Sequence, residues 1–175
     1  MRKGVYFALF AMIIIVSAAN YLVQFPINDW LTWGVFPYPV SFLVTELTNR
    51  FYGPRTARRV VYVGFVVAVF CSALLSTPKI AFASGSAFLV SQLLDIAIFN
   101  RFRQGVWWYG PLFASISASI VDASVFWTLA FWGENISVLT LAIGDTAIKM
   151  SMDLAMLSPF RFFIRSQSQM YFRPN

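Results

Sequence analysis

The stretch LAIGDTAIKMSMDLAMLSPF, residues Leu141–Phe160, sets Asp145, Lys149 and Asp153 at four-residue intervals inside an otherwise apolar run. On a helix rising ~1.5 Å per residue these three side chains form one slanted stripe about 12 Å long. A charge in the middle of a membrane span costs at least ~2.5 kcal/mol even on lenient insertion scales, so such groups face a bundle interior or a wet cavity. The meaning of the stripe therefore depends on whether this segment is membrane helix.

Composition answers that. Of 175 residues, 59% are hydrophobic and 11% charged, and the mean hydropathy is +0.69. A soluble domain carries roughly 25% charged residues, so this chain has too little polar surface to coat a globule in water. Its length suits a single membrane domain, 1–175, with no separate soluble one. The net charge of +6 does not point to nucleic acid, because the basic residues fall between apolar segments rather than on one face. Histidine is absent and Cys71 is the sole cysteine. That excludes internal disulfides, Cys/His metal sites and His-dependent catalytic triads. Cys71, within VVAVFCSALL, reads as a small packing residue.

Six apolar segments reach spanning length, about Gly4–Phe25, Gly34–Asn49, Val60–Leu75, Ile80–Phe99, Val106–Trp132 and Val138–Phe160. The second and third are short, and Pro37 and Pro39 fall in the first turns of the second, where proline is tolerated or marks a broken start. The first runs too far for a signal peptide and lacks a small-residue cleavage site, so it is expected to be retained. Arg2 and Lys3, then Arg50, Arg55, Arg58 and Arg59, then Arg101 and Arg103, then Arg161, Arg165 and Arg173 fall in alternate connections and the termini. The intervening loops hold Asp29, Lys79 and Glu134. The positive-inside rule predicts both termini in the cytoplasm. Trp30, Trp33, Trp107, Trp108 and Trp132 at span ends fit an aromatic belt.

Counting residues from these ends puts Asn20 and Asp145 in the outer half, and Gln92, Asp122 and Lys149 near the middle. Glu46, Asp95 and Asp153 come out nearer the cytoplasm, within reach of Arg50 and the other loop arginines. Five spans thus supply inward polar groups. Ser115, Ser119 and Asp122 share one face of the fifth, while Ala81 with Gly85 and Gly4 with Ala8 have small-xxx-small spacing. Lys149 can bridge to Asp145 or Asp153 in its own helix, so a purely structural ion-pair ladder is the plain alternative for the stripe. The surplus of acid favours a ligand site. Glu46, Asp95, Asp122 and Asp145 outnumber the one buried lysine, which calls for a hydrogen-bond-donating ligand, a cation or protons.

Enzyme chemistry fits poorly. AIGD at Ala142–Asp145 lacks the first glycine of a Gly-x-Gly-Asp intramembrane protease setting, and no phosphate loop of the G-x-x-x-x-G-K-[ST] type is present. A small carrier with a site near mid-membrane, built from several helices, fits better.

The polar residues also form a family pattern. ANYLVQFPI, then FLVTELTNRFYGPRTARRVV, SQLLDIAIFNRFR with WW shortly after, the serine-rich run ending in Asp122 before AFW, and GDTAIK cover nearly the whole chain in order. Together they resemble the queuosine-precursor transporter family within the vitamin-uptake transporter group. The resemblance implies an all-α integral membrane protein. It would be a six-transmembrane-helix bundle like the substrate-binding components of energy-coupling-factor transporters, in a bacterial inner membrane. It implies import of 7-cyano- or 7-aminomethyl-7-deazaguanine, with queuine or a related nucleoside as further candidates, and no cofactor. By matching positions, Asn20, Glu46, Gln92, Asp95, Asp122, Asp145 and Lys149 are the candidate substrate-binding residues. Two departures stand out: the very short loop Ser76–Lys79, and Asp153, which is not part of the pattern.

A guanine-like edge offers N1–H and an exocyclic amine, which one carboxylate accepts in two-pronged fashion. Its carbonyl then needs a donor such as Gln92, Asn20 or Lys149. Phe42, Trp107 or Phe126 could stack on the ring. The sixth span is expected to contribute Asp145 and Lys149 to a site shared with Asp122 and Gln92, with Asp153 paired near the cytoplasmic arginines. The expected partners are a small-molecule substrate and the bilayer, not nucleic acid, while a second copy or an ATPase partner stays open. Uptake of another vitamin-like molecule, a capture subunit for an ATPase, or a non-transporting scaffold are the alternatives.

Overall fold

The computed structural model describes residues 2–22, 25–28, 31–75, 77–134 and 138–171. Asp29, Trp30, Ser76 and Arg173, used above for loop charge, aromatic belt and loop length, lie outside the described residues. The chain forms α1 (Arg2–Leu22), a ribbon of β1 (Pro26–Asn28) and β2 (Leu31–Thr32), and a 3₁₀ turn (Trp33–Val35). Five more helices follow: α2 (Pro37–Tyr52), α3 (Pro54–Leu75), α4 (Pro78–Phe102), α5 (Tyr109–Ala130) and α6 (Val138–Tyr171). The antiparallel ribbon was not anticipated, since the first span was carried to Phe25. Pro26 explains the change: without an N–H it cannot extend the helix before it, and it pairs opposite Thr32 instead.

Proline sets the helix starts. Pro37, Pro54 and Pro78 each open a helix, where the missing N–H would be unpaired anyway. Pro37 and Pro39 thus begin α2 rather than break it. Gly53, at φ +83°, turns the chain between α2 and α3 while its N–H bonds Asn49 O at 3.0 Å. A side chain there would be strained, so Gly53 is what allows two helices to meet with one residue between them.

α2 is the innermost helix and touches α1, α3, α4, α5 and α6. One apolar core joins α1, α3 and α4 through Met12, Val16, Val60, Val61, Phe88 and Ile96. A second joins α2, α4, α5 and α6 through Leu43, Phe99, Ala114 and Phe160, with the Phe99 and Phe160 rings edge to face at 6.0 Å. The small-residue spacings serve contacts within the chain: a Cβ on Gly85 would lie 2.8 Å from Val69 Cγ2, and one on Gly4 would overlap the Tyr52 hydroxyl. Tyr6, Phe7, Phe10, Phe70, Leu74, Phe82 and Leu139 point outward, exposed aromatic and aliphatic surface that suits lipid rather than water.

α1, α3, α4 and α5 are each long and apolar enough to cross a membrane. α2, at 16 residues, is shorter than the ~20 a perpendicular span needs, and α6 interrupts its apolar run with the charged stripe. α6 runs to Tyr171, past the expected end at Phe160, and its 34 residues make a helix of about 51 Å, well beyond a ~30 Å hydrocarbon core.

The two ends of the bundle differ. At one, Arg50 donates to Arg103 O at 2.9 Å and Arg103 donates to Arg50 O at 2.8 Å, while Arg161 stacks 4.8 Å over the Trp107 ring. The start of α1 is there too, with Gly4 against Tyr52. At the other end Lys79 donates to Trp132 O and to Glu134.

Candidate functional site

α5 carries Asp122 on the same face as Ser115 and Ser119, seven and three residues earlier, and that face is buried against α4 and α6. α6 brings Lys149 to it. The Lys149 ammonium donates to Asp122 Oδ2 at 2.7 Å and to Asp145 Oδ2, one turn back on its own helix, at 2.6 Å. Asp122 and Lys149 are both buried. Their separations are those of charge-assisted hydrogen bonds, the strong kind, in surroundings where water does not compete.

Neighbouring helices complete this cluster. Tyr38 OH, from the first turn of α2, donates to Asp122 Oδ1 at 2.6 Å, and Ser91 Oγ of α4 lies 3.2 Å from the same oxygen. The Tyr38 ring sits 5.0 Å from the ammonium, in cation–π range. Trp127 Nε1, on α5, donates to Asp145 Oδ2 at 3.3 Å. Two carboxylates and one ammonium leave the cluster one negative charge in excess.

Gln92 lies beside it. Its amide accepts from Thr45 Oγ1 at 2.6 Å and donates to Ser41 Oγ at 2.8 Å; Ser41 in turn donates to Tyr38 O. Gln92 thus connects to Asp122 through Ser41 and Tyr38. Asn20 stands off toward α3, accepting from Ser72 Oγ at 2.5 Å and donating to Val16 O at 2.9 Å. Beside Asn20, Tyr38 and Ser41 is a cavity of about 10 Å³, lined also by Val16, Ala19 and Phe88 among others but not by Gln92, Asp122 or Lys149. That is room for about one water molecule.

Glu46 and Asp95 do not join the lysine. They lie with Asp153 in a second, carboxyl-rich cluster: Glu46 has Asp95 and Asp153 as charged neighbours, Asp95 has Glu46 and Asp153, and Asp153 also feels Lys149 and Asp122. Here the expectation for Asp153 fails. It accepts from Ser119 Oγ at 2.7 Å and makes no ion pair with an arginine among the described residues. Arg50 and Arg103 instead face each other, each placing a guanidinium N–H on the other's backbone carbonyl.

Of the ring candidates, Phe42 is buried and packs edge to face on Tyr38 at 5.8 Å, close to the ion pair. Phe126 packs on Trp127 at 5.4 Å. Trp107 is at the arginine end under Arg161, away from the lysine. Sequence reasoning missed Tyr38, Ser91 and Trp127. A tyrosine between two prolines at the start of a buried helix was the available signal for Tyr38; Ser91 and Trp127 had none, since neither hydroxyl nor indole stands out in a chain this rich in both small and aromatic residues.

A bundle with an apolar outer surface and an ion-pair cluster fed by α2, α4, α5 and α6 defines a multi-pass membrane protein with an internal polar site. A family model described as "Putative vitamin uptake transporter" matches residues 32–77 and 70–164, and the chain belongs to this family of transporters; it is not an enzyme. It is 30% identical over 176 positions to the queuosine precursor transporter of Escherichia coli, covering 84% of this chain and 80% of that protein. It is 33% identical over 167 positions to the "Probable queuosine precursor transporter" of Haemophilus influenzae, covering 75% and 71% respectively. No solved structure matches.

Proposed function

We propose that this protein imports queuosine precursors across the bacterial inner membrane, taking 7-cyano- or 7-aminomethyl-7-deazaguanine, with queuine as a further candidate. The observation that carries the reading is the buried Asp122–Lys149–Asp145 cluster, which presents two acceptors and one donor on a common face of α5 and α6. In this reading the N1–H and amine of the base displace the Tyr38 and Ser91 hydroxyls from Asp122, and the base carbonyl takes a proton donor from Lys149 or Gln92. Phe42 and Tyr38 supply a ring wall. Asn20 closes the site on the α1 side. A bicyclic base is many times larger than the present cavity, so binding parts α1 and α2 from α3 and α4.

All six helices span the bilayer in this proposal, in an arrangement like the substrate-binding components of energy-coupling-factor transporters. The arginine end of the bundle, with both termini, faces the cytoplasm. α2 spans by virtue of the 3₁₀ turn and ribbon that extend it, and the last turns of α6 project into the cytoplasm.

The test is tRNA queuosine in a host that can neither make nor import its precursors, expressing this chain and fed each deazaguanine in turn. Restoration at low external precursor names the substrate, and Asp122→Ala abolishes it. A host in which the protein reaches the membrane yet no precursor restores queuosine refutes the reading.

A further inference from the structure

Glu46, Asp95 and Asp153 come from α2, α4 and α6, and are 3%, 0% and 2% exposed. No lysine or arginine bonds any of them among the described residues. Four of their buried oxygens, Glu46 Oε1, Asp95 Oδ1, Asp95 Oδ2 and Asp153 Oδ1, have no hydrogen-bond partner. A fifth acceptor belongs to Asn49, one turn after Glu46 on α2 and itself fully buried. Its amide reaches Ile96 O, the residue after Asp95, at 3.5 Å, and its Oδ1 is unpartnered. The site therefore holds five unpartnered buried acceptors, while Ser119 is spent on Asp153 Oδ2 and the Asn49 amide on the Ile96 carbonyl. Three bare carboxylates buried as near neighbours out of water would be prohibitive. A proton on one carboxyl removes a charge and creates a donor at once. Glu46 and Asp95 are near enough for such a proton to make a hydrogen bond between them. The described acidic residues offer no arrangement suited to a metal ion.

We propose that Glu46, Asp95 and Asp153 form an exchangeable proton site that drives transport, linked through α6 to the substrate cluster. This rests on the carrier reading above. The groups facing the trio are known from each packed helix: Asn49 on α2, Ser119 and Asp122 on α5, and Lys149 on α6. Lys149 is one turn from Asp153, so each proton gained or lost at Asp153 changes the field at the ammonium that holds Asp122 and Asp145. Substrate that takes over part of that ammonium's bonding alters, reciprocally, how readily the trio keeps its proton.

The experiment uses the full chain in proteoliposomes with radiolabelled 7-aminomethyl- and 7-cyano-7-deazaguanine. Exchange of labelled for unlabelled base without any gradient tests the carrier reading. Accumulation under an inward proton gradient tests the proton site. The expected result is that wild type does both, while Asp95→Asn keeps exchange within about threefold and loses accumulation at least about tenfold. Wild-type accumulation that ignores the proton gradient, or follows sodium instead, overturns the proposal while leaving the carrier reading intact. Should no base exchange at all, infrared spectra of the purified protein still decide: a protonated-carboxyl C=O band near neutral pH, diminished in Asp95→Asn and Glu46→Gln, supports the proton site. Absence of that band overturns it.

Discussion

Two clusters one turn apart on α6 handle buried charge in opposite ways. Around Lys149, each carboxylate meets an opposite charge and a donor from another helix: Asp122 has the ammonium, Tyr38 and Ser91, and Asp145 has the ammonium and Trp127. Around Asp153, three carboxyls share a single hydroxyl donor and leave four oxygens without one. The first cluster is held together by attraction and loses most when one member is removed. The second is a concentration of like charge, tolerable only while something neutralises it, and it gains when a member is made neutral. A structural polar network is expected to look like the first throughout. The contrast is what marks the second as a place where protons come and go.

The largest effect should follow from breaking the first cluster. Lys149→Met leaves the buried Asp122 and the partly buried Asp145 without their cation, at a cost of about 3–5 kcal/mol, and the yield of folded protein in detergent should fall sharply. Adding Asp145→Asn should recover much of that yield, because Asp122 keeps Tyr38 and Ser91 as donors, though uptake stays lost. A double variant no more stable than the single one would show that the ion pair does not organise the cluster. Tyr38→Phe comes next. It takes one of the donors from Asp122, worth about 1.5–3 kcal/mol for a bond to a charged group, and should weaken both thermal stability and precursor uptake while leaving the protein folded. Unchanged uptake in that variant would remove Tyr38 from the site.

The second cluster should answer with the other sign. Glu46→Gln or Asp95→Asn replaces a carboxyl by an amide that brings its own donor, so thermal unfolding in detergent should shift upward or not at all, within about 1 kcal/mol. A clear loss of stability would mean that the replaced carboxylate has a cationic partner, and the two clusters would then be alike.

The fold and the charged stripe were readable because they rest on strong local signals. Long apolar runs, prolines at helix starts and the four-residue spacing of Asp145, Lys149 and Asp153 need no partner to be recognised, and Lys149 does bridge to Asp145 one turn back, as the spacing allows, as well as to Asp122. What could not be read is which neighbour each inward group faces. Depth along a helix is set by residue count, but the facing partner depends on how six helices rotate and cross. Counting therefore put Glu46, Asp95 and Asp153 together near the arginines, with Glu46 and Asp95 among the substrate-binding candidates and Asp153 left out of them. In the structure they are a separate cluster, and the arginines are bound to carbonyls. The helix ends moved for the same reason: α3 starts at Pro54, where the basic residues of an expected loop already coil.

The smallest effect belongs to the ion pair at the opposite end of the bundle. Lys79 and Glu134 meet at 3.1 Å, but their side chains are 45% and 47% exposed. A pair that open to its surroundings contributes about 0–1 kcal/mol, and less as salt screens it. Lys79 also donates to Trp132 O at 3.2 Å, which ties the start of α4 to the turn after α5. Lys79→Ala should therefore leave thermal unfolding nearly unmoved while loosening that turn, read as faster hydrogen exchange around Phe131–Glu134. If instead Lys79→Ala lowered stability as far as Tyr38→Phe does, exposure would be a poor guide to what a polar contact is worth in this fold. The ranking of the two buried clusters, which rests on burial and on counting donors against acceptors, would have to be set by measurement alone.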